Sequence, residues 1–287
     1  MPADNPPAKF DALLPEEMAR RAEQIGMKKA QMDFLTMFTL AILAGAFIAL
    51  GAIFATVVTA NSGGVSFGIS KLLGGLVFSL GLILVVVAGA ELFTGNNLIV
   101  MAWVNHHVKL RDLLRNWIIV YLGNFVGALL TVVIVYISQQ HTFGNGAVGQ
   151  QALSIAASKC ELGFVQAIAL GIMCNGLVCL AVWLTYSART TTDKILAIIF
   201  PITAFVAAGF EHSVANMYFV PMGLFIKNFD ASWVAAHAPD MDLSNLTVAN
   251  FLFNNLLPVT IGNIIGGSVL VAAAYWFVFL RPKNTIR

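Results

Sequence analysis

Charge is scarce in this chain. Only 10% of its 287 residues are Asp, Glu, Lys or Arg, against about 25% in soluble domains. That scarcity argues against an ordinary soluble enzyme. The 16 Lys and Arg residues, spread along the chain, make no basic footprint for nucleic acid. Three cysteines exclude a disulfide framework, and Cys160, Cys174 and Cys179 have no metal-ligand spacing. They read as small apolar filler, Cys160 near a surface and the other two inside a span. No nucleophile constellation, Cys/His metal set or phosphate loop stands out, so neither an enzyme nor a cofactor is expected. The first 33 residues are polar and carry no signal-peptide pattern. What the chain does have is apolar: 59% hydrophobic residues and a mean hydropathy of +0.83. An integral membrane protein remains.

Long stretches without Asp, Glu, Lys or Arg run over 34–70, 72–90, 116–158, 162–188, 195–210, 212–226 and 243–280. A hydrocarbon core about 30 Å thick needs roughly 20 apolar helical residues. Polar loops at Asn61–Gly64 and Gln139–Gly146 divide the longest stretches. Six spans are expected, near 35–59, 72–103, 114–138, 162–187, 194–226 and 247–280. Runs such as Ile83–Val87 and Thr131–Val135 show no alternation, so helices fit better than barrel strands. Thirteen of the cations fall on the side of the two termini, and only Lys71, Lys159 and Lys227 on the other. The positive-inside rule then places both termini in the cytoplasm.

The tail before the first span reads as a short helix. Pro15 suits its first turn, Glu16/Arg20 and Glu17/Arg21 are spaced for pairing, and Met18, Ala22 and Ile25 share a face. Two readings stand: a helix lying on the cytoplasmic surface, or a movable plug at a cytoplasmic mouth.

The chain also repeats itself. Gly89-Ala-Glu91 to Asn96 and Gly209-Phe-Glu211 to Asn216 both read G-x-E-x-x-x-x-N, 120 residues apart. Leu122-Gly123-Asn124 to Gly127 matches Ile261-Gly262-Asn263 to Gly266, 139 apart. Three spans per half is odd, so the halves cross the membrane in opposite senses, as in many channels and transporters. The glycine pairs Gly123/Gly127 and Gly262/Gly266 read as close helix contacts. Each G-x-E element interrupts an apolar run, so the second and fifth spans are expected to be broken helices. A carboxylate at that depth must be paired or hydrogen-bonded. Glu91 and Glu211 are expected to cap free N–H groups at the breaks, where Asn96 and Asn216 are also structural; direct contact of the glutamates with a substrate is the alternative. The new helix ends make a site for a small anion.

His106, His107, His141 and His237 fall in loops and read as solvated. His212 lies inside the fifth span beside Glu211. It is either a satisfied core residue or part of an anion pathway, where it donates hydrogen bonds and exchanges protons near neutral pH. Leu92 is its repeat counterpart, and the hydroxyl of Thr94 is nearby. Phe93 and Phe205 flank the breaks, where apolar rings in a pore exclude hydrated ions.

Gly209-Phe-Glu-His-Ser-Val-Ala-Asn216, Asn263 within Pro258–Gly266, Gly89-Ala-Glu-Leu-Phe-Thr94 and Asp11-Ala-Leu-Leu-Pro15 together resemble the formate/nitrite transporter family, its bacterial formate channels above all. The resemblance implies an all-α, aquaporin-like protomer, a homopentamer with one pore per protomer, and a bacterial inner-membrane location. It implies a pH-dependent pathway for formate and other small monovalent anions, with nitrite or hydrosulfide as the alternative main substrate. His212 is implied as the central pore histidine and Thr94 as its partner. Leu82 and Phe78 are implied as the cytoplasmic constriction, and Phe93, Val178 and Phe205 as the periplasmic one. Asn175 and Lys159 are implied to line the outer approach, and Asn263 to steady the break or the pore. The N-terminal helix is implicated in pH gating and in coupling to a cytoplasmic formate-metabolising enzyme. The expected organisation is a cytoplasmic segment 1–33, a channel domain 34–280 with repeats at about 34–138 and 162–280, and a cytoplasmic tail 281–287.

Overall fold

The computed structural model describes residues 12–61 and 63–282. Lys9, Asp11, Ser62, Lys283 and Arg287 therefore lie outside the described residues. Among those described, every regular element is helical. In chain order they are α1 (Pro15–Ala30), α2 (Phe34–Thr59), α3 (Phe67–Ala88), α4 (Val100–Val104), α5 (Leu110–Ile137) and α6 (Ala147–Cys160). There follow α7 (Phe164–Ser187), α8 (Thr191–Ala207), α9 (Ser213–Phe229), α10 (Ala231–His237) and α11 (Asn250–Leu280). Helices α2, α3, α5, α7 and α11 are each long and apolar enough to cross a membrane. Helix α11 contains wide π-type turns.

Local chemistry accounts for these limits. The Asp33 carboxylate accepts the Thr36 N–H at 3.0 Å and starts α2. Thr190 and Asp193 cap the start of α8 in the same way. The apolar interiors bury one side and leave large side chains such as Leu35, Ile134 and Phe200 outward. That pattern suits a lipid or subunit contact.

Packing follows the repeat. Helix α2 lies against α3 and α5; α7 lies against α8 and α11. The contact needs glycine: a side chain at Gly127 would overlap the Ile42 carbonyl, and one at Gly266 the Ile172 carbonyl. Residues 42 and 172 are 130 apart and 127 and 266 are 139 apart, the second being the Gly-Asn motif spacing.

Both G-x-E elements fall where a helix stops. Helix α3 ends at Ala88 and α8 at Ala207. Gly89 and Gly209 take φ of +84° and +73°, and nothing stands within 4 Å of a Cβ built on either. Backbone conformation, not space, requires glycine there. The Ala90 N–H reaches back to the Val85 carbonyl at 2.8 Å, and the Phe210 N–H to Phe205 at 3.0 Å. Each is the six-residue closure that ends a helix at a left-handed glycine. After Gly209 the chain re-enters a regular helix at Ser213; after Gly89 it passes through a 3₁₀ turn over Gly95–Ile99.

One segment differs from expectation: the stretch after α5, expected to be a loop, holds α6. The segment before α2 is a helix, as expected, with Met18, Ala19, Ala22 and Ala30 buried and α1 packed on the 3₁₀ turn and α4.

Candidate functional site

A buried carboxylate needs a counter-charge, and each break supplies one from an amphipathic helix. Lys29 Nζ, at the end of α1, donates to Glu91 Oε1 at 2.6 Å and to Asn96 Oδ1 at 3.0 Å. Asn96 Nδ2 donates to Glu91 Oε2 at 2.8 Å and to Asn116 Oδ1 at 2.9 Å, and Asn116 returns to the Lys29 carbonyl at 3.1 Å. The second half repeats the circuit. Lys159 Nζ, at the end of α6, donates to Glu211 Oε1 at 2.8 Å; Asn216 Nδ2 donates to Glu211 Oε2 at 2.6 Å and Asn255 Oδ1 at 2.7 Å. Asn255 returns to the Lys159 carbonyl at 3.0 Å. The lysines are 130 apart, the glutamates 120 and the outer asparagines 139. Helices α1 and α6 are thus placed alike in the two halves.

The carboxylates do not cap the new helix ends. At the second break an asparagine and a histidine do; at the first an asparagine holds the stretch of chain before the 3₁₀ turn. Asn124 Oδ1 accepts the Phe93 N–H and Asn263 Oδ1 the Ser213 N–H, both at 2.9 Å. Their amides donate to Ala41 and Glu91 carbonyls in one half, and to Gly171 and Glu211 carbonyls in the other. Asn263 therefore clamps the second break to α7. His212 is the N-cap of α9, its Nδ1 accepting the Ala215 N–H at 3.0 Å. That bond puts the ring proton on Nε2. Nε2 lies 2.9 Å from Thr94 Oγ1 and donates to it. Imidazole and hydroxyl, from opposite halves, face each other in the interior; His212 is 3% exposed and Thr94 is fully buried.

Two recesses lie near this pair, the larger reaching His212 and the smaller reaching Leu92 and Gly95 on either side of Thr94 in the chain. One, of about 460 Å³, is lined by Lys71, Phe78, Lys159, Phe205, Glu211 and His212. The other, of about 310 Å³, is lined by Lys29, Leu82, Val85, Glu91, Leu92 and Tyr186. They are repeat images: Gly89, Glu91, Leu92 and Asn96 line one where Gly209, Glu211, His212 and Asn216 line the other.

The expected constrictions are grouped differently in the structure. Phe78 does not join Leu82. It meets Phe205 edge to face at 5.7 Å, and both line the larger recess, while Leu82 lines the smaller. Phe78 and Leu82 are one turn apart on α3, enough to put them on opposite recesses. Phe205 also stacks over His212 at 5.9 Å. Phe93 and Val178 are buried, Phe93 against Tyr121 at 4.9 Å.

Asn175 is not on an approach. It is fully buried, and its two amide hydrogens go to the Asn263 carbonyl and Asn97 Oδ1, with the Thr94 carbonyl a longer, shared contact. Lys159 does line the larger recess, but its charge is paired with Glu211. His141 is not solvated. It is 3% exposed, stacks on Tyr136 and lies 3.2 Å from Asp230. Asn116, Asn124 and Asn255, and Lys29 as a partner, were not singled out as site residues. The 139-residue spacing of Asn116 from Asn255 was the available signal for two of them.

Comparison with known proteins gives the family. The family model described as formate/nitrite transporter matches residues 16–277. The chain is 47% identical over 286 residues to Formate channel FocA of Escherichia coli (strain K12), covering 99% of each. It is 42% identical over 273 residues to Formate channel FocA of Haemophilus influenzae, covering 94% of this chain and 96% of that one. A solved structure described as a pentameric formate channel with formate bound superposes with a TM-score of 0.81 at 45% identity, covering 86% of this chain and 98% of the other. The chain belongs to the formate/nitrite transporter family.

Proposed function

We propose that this chain is a formate channel of a bacterial inner membrane, built as a homopentamer of six-span protomers with both termini cytoplasmic. The second and fifth spans are α3 with the 3₁₀ turn and α4, and α8 with α9, each broken at its glycine. The observation that carries the reading is the Thr94–His212 contact between two recesses that are images of each other.

The pathway runs from one recess to the other past Thr94 and His212. Phe78 and Phe205 narrow it on the periplasmic side. Leu82, Phe93 and Val178 do so on the cytoplasmic side. An apolar ring strips water from an anion at high cost. The Nε2–H of His212 and the hydroxyl of Thr94 offset that cost, as does the start of α9. Formate can also pass as the neutral acid. A proton taken up at Nδ1 breaks the Ala215 cap; Nε2 then gives its proton to a formate oxygen, forming an O–H bond and leaving a neutral ring. Glu91, Glu211, Asn96 and Asn216 hold the breaks, and Asn263 steadies the second. Helix α1, with Lys29 at the smaller recess, is placed to act on the cytoplasmic mouth and to meet a cytoplasmic formate-metabolising enzyme.

The test is a selectivity series on one reconstituted sample with formate, nitrite, hydrosulfide, acetate and chloride. Formate is expected to move fastest. Fastest movement of nitrite or hydrosulfide reassigns the substrate within the family, and movement of chloride as fast as formate contradicts the reading.

A further inference from the structure

The two breaks are alike in their carboxylate circuits but not in what holds the residue after the break. In the second half, the repeat counterpart of Thr94 is Val214, inside a regular 17-residue helix that His212 caps. The helical ladder fixes that residue. In the first half Thr94 precedes a 3₁₀ turn of five residues with no side-chain cap. Its ladder bond is long, Asn97 N–H to Thr94 O at 3.4 Å. Such turns have poorer hydrogen-bond geometry than an α-helix. Something else must fix the direction of the Thr94 hydroxyl.

We propose that Asn97, Asn175 and Cys179 are positioning residues that hold the Thr94 backbone so that its hydroxyl meets His212. The proposal rests on the channel reading for its consequence, though not for its geometry. Cys179 Sγ of α7 donates to the Thr94 carbonyl at 3.3 Å, and Asn175 Nδ2, whose two hydrogens serve Asn97 Oδ1 and the Asn263 carbonyl, shares one of them with the Thr94 carbonyl at 3.3 Å. Asn97 Nδ2 donates to the Phe93 carbonyl at 3.3 Å, and Asn97 Oδ1 accepts from Asn175 at 2.8 Å. Asn175 also reaches the Asn263 carbonyl at 2.7 Å, so one amide ties the first break to the clamp of the second.

The other half lacks this set. The offsets of 120 and 130 map Asn97, Asn175 and Cys179 onto Met217, Gly45 and Ala49, none of which has a polar side chain. A second observation points the same way. Gly267 of α11 leaves the room these residues need: a Cβ there would overlap Asn175 Nδ2 and stand 2.8 Å from both Asn97 Cβ and Cys179 Sγ. Its counterpart at the offset of 139 is Ala128.

The experiment replaces Cys179 by Val, which keeps the shape and removes the donor, and by Ser, which restores it. Each is made in the wild-type chain and with Thr94→Val, and Gly267→Ala crowds the same group from α11. In proteoliposomes Cys179→Val is expected to lower formate flux about two- to fivefold, the scale of an S–H donor. Cys179→Ser is expected to restore flux, Gly267→Ala to lower it, and Cys179→Val to add nothing once Thr94 is Val. An equal loss in both backgrounds, or no rescue by Ser, overturns the proposal. A second readout needs no transport: ¹⁵N NMR of histidine in the bilayer-embedded protein, with His212 assigned by its loss in His212→Phe. Cys179→Val should move the His212 Nε2 signal toward its position in Thr94→Val. An unmoved signal overturns the positioning role, whereas a wild type that carries no formate while the signal moves overturns only the channel reading.

Discussion

Glu91 and Glu211 show what a carboxylate needs at this depth: a lysine and asparagine amides, Asn96 on Glu91 and both Asn216 and Asn255 on Glu211. Removing one member of a buried pair leaves the other uncompensated. Glu211→Gln is therefore expected to lower stability by roughly 3 kcal/mol, and Glu211→Gln with Lys159→Met by less. Thermal unfolding in detergent checks both, and equal losses would contradict the pairing. The sequence marked these carboxylates as elements of the breaks, but helix-dipole reasoning gave them the capping role. Asn263 and His212 have it at the second break instead, while Lys29 and Lys159 neutralise the acids. Nothing local to either glutamate announces a lysine 62 or 52 residues earlier in the chain.

At the scale of elements, the breaks are set by left-handed glycines. Gly89→Ala or Gly209→Ala is expected to cost about 1–2 kcal/mol, from conformation alone, since no neighbour is near. Little loss in unfolding temperature would show that the break can be made another way. The start of α2 is titratable. The Asp33 carboxyl is held below its usual 3.8 by hydrogen bonds from the Thr36 N–H and side chain. A lowered value means the cap is fully present above about pH 4 and is lost as pH falls through the lowered value. The protection of amides 34–37, taken against the intrinsic exchange rate at each pH, should fall on acidification in the wild type, and Asp33→Asn should remove that pH dependence. Apolar runs made α2, α3, α5, α7 and α11 legible. Helix α6 was not, because its stretch is neither charged nor continuously apolar and resembled a polar loop. The turns of π type in α11 have no sequence signature.

Across the whole molecule, repeat spacings carried more of the fold than any motif alone. Offsets of 120 and 139 predicted two similar halves, and the structure adds the pairing of α1 with α6 at 130. The repeat also marked one place where the halves differ, His212 against Leu92; what it could not give is the 3₁₀ turn against a regular helix. Those differences meet at the Thr94–His212 contact, on which the transport account depends. The most direct test is formate flux into proteoliposomes from about pH 5 to 8 for the wild type and His212→Phe. The account predicts a pH-dependent flux in the wild type and loss of that dependence in the variant. An unchanged pH profile in His212→Phe would contradict it.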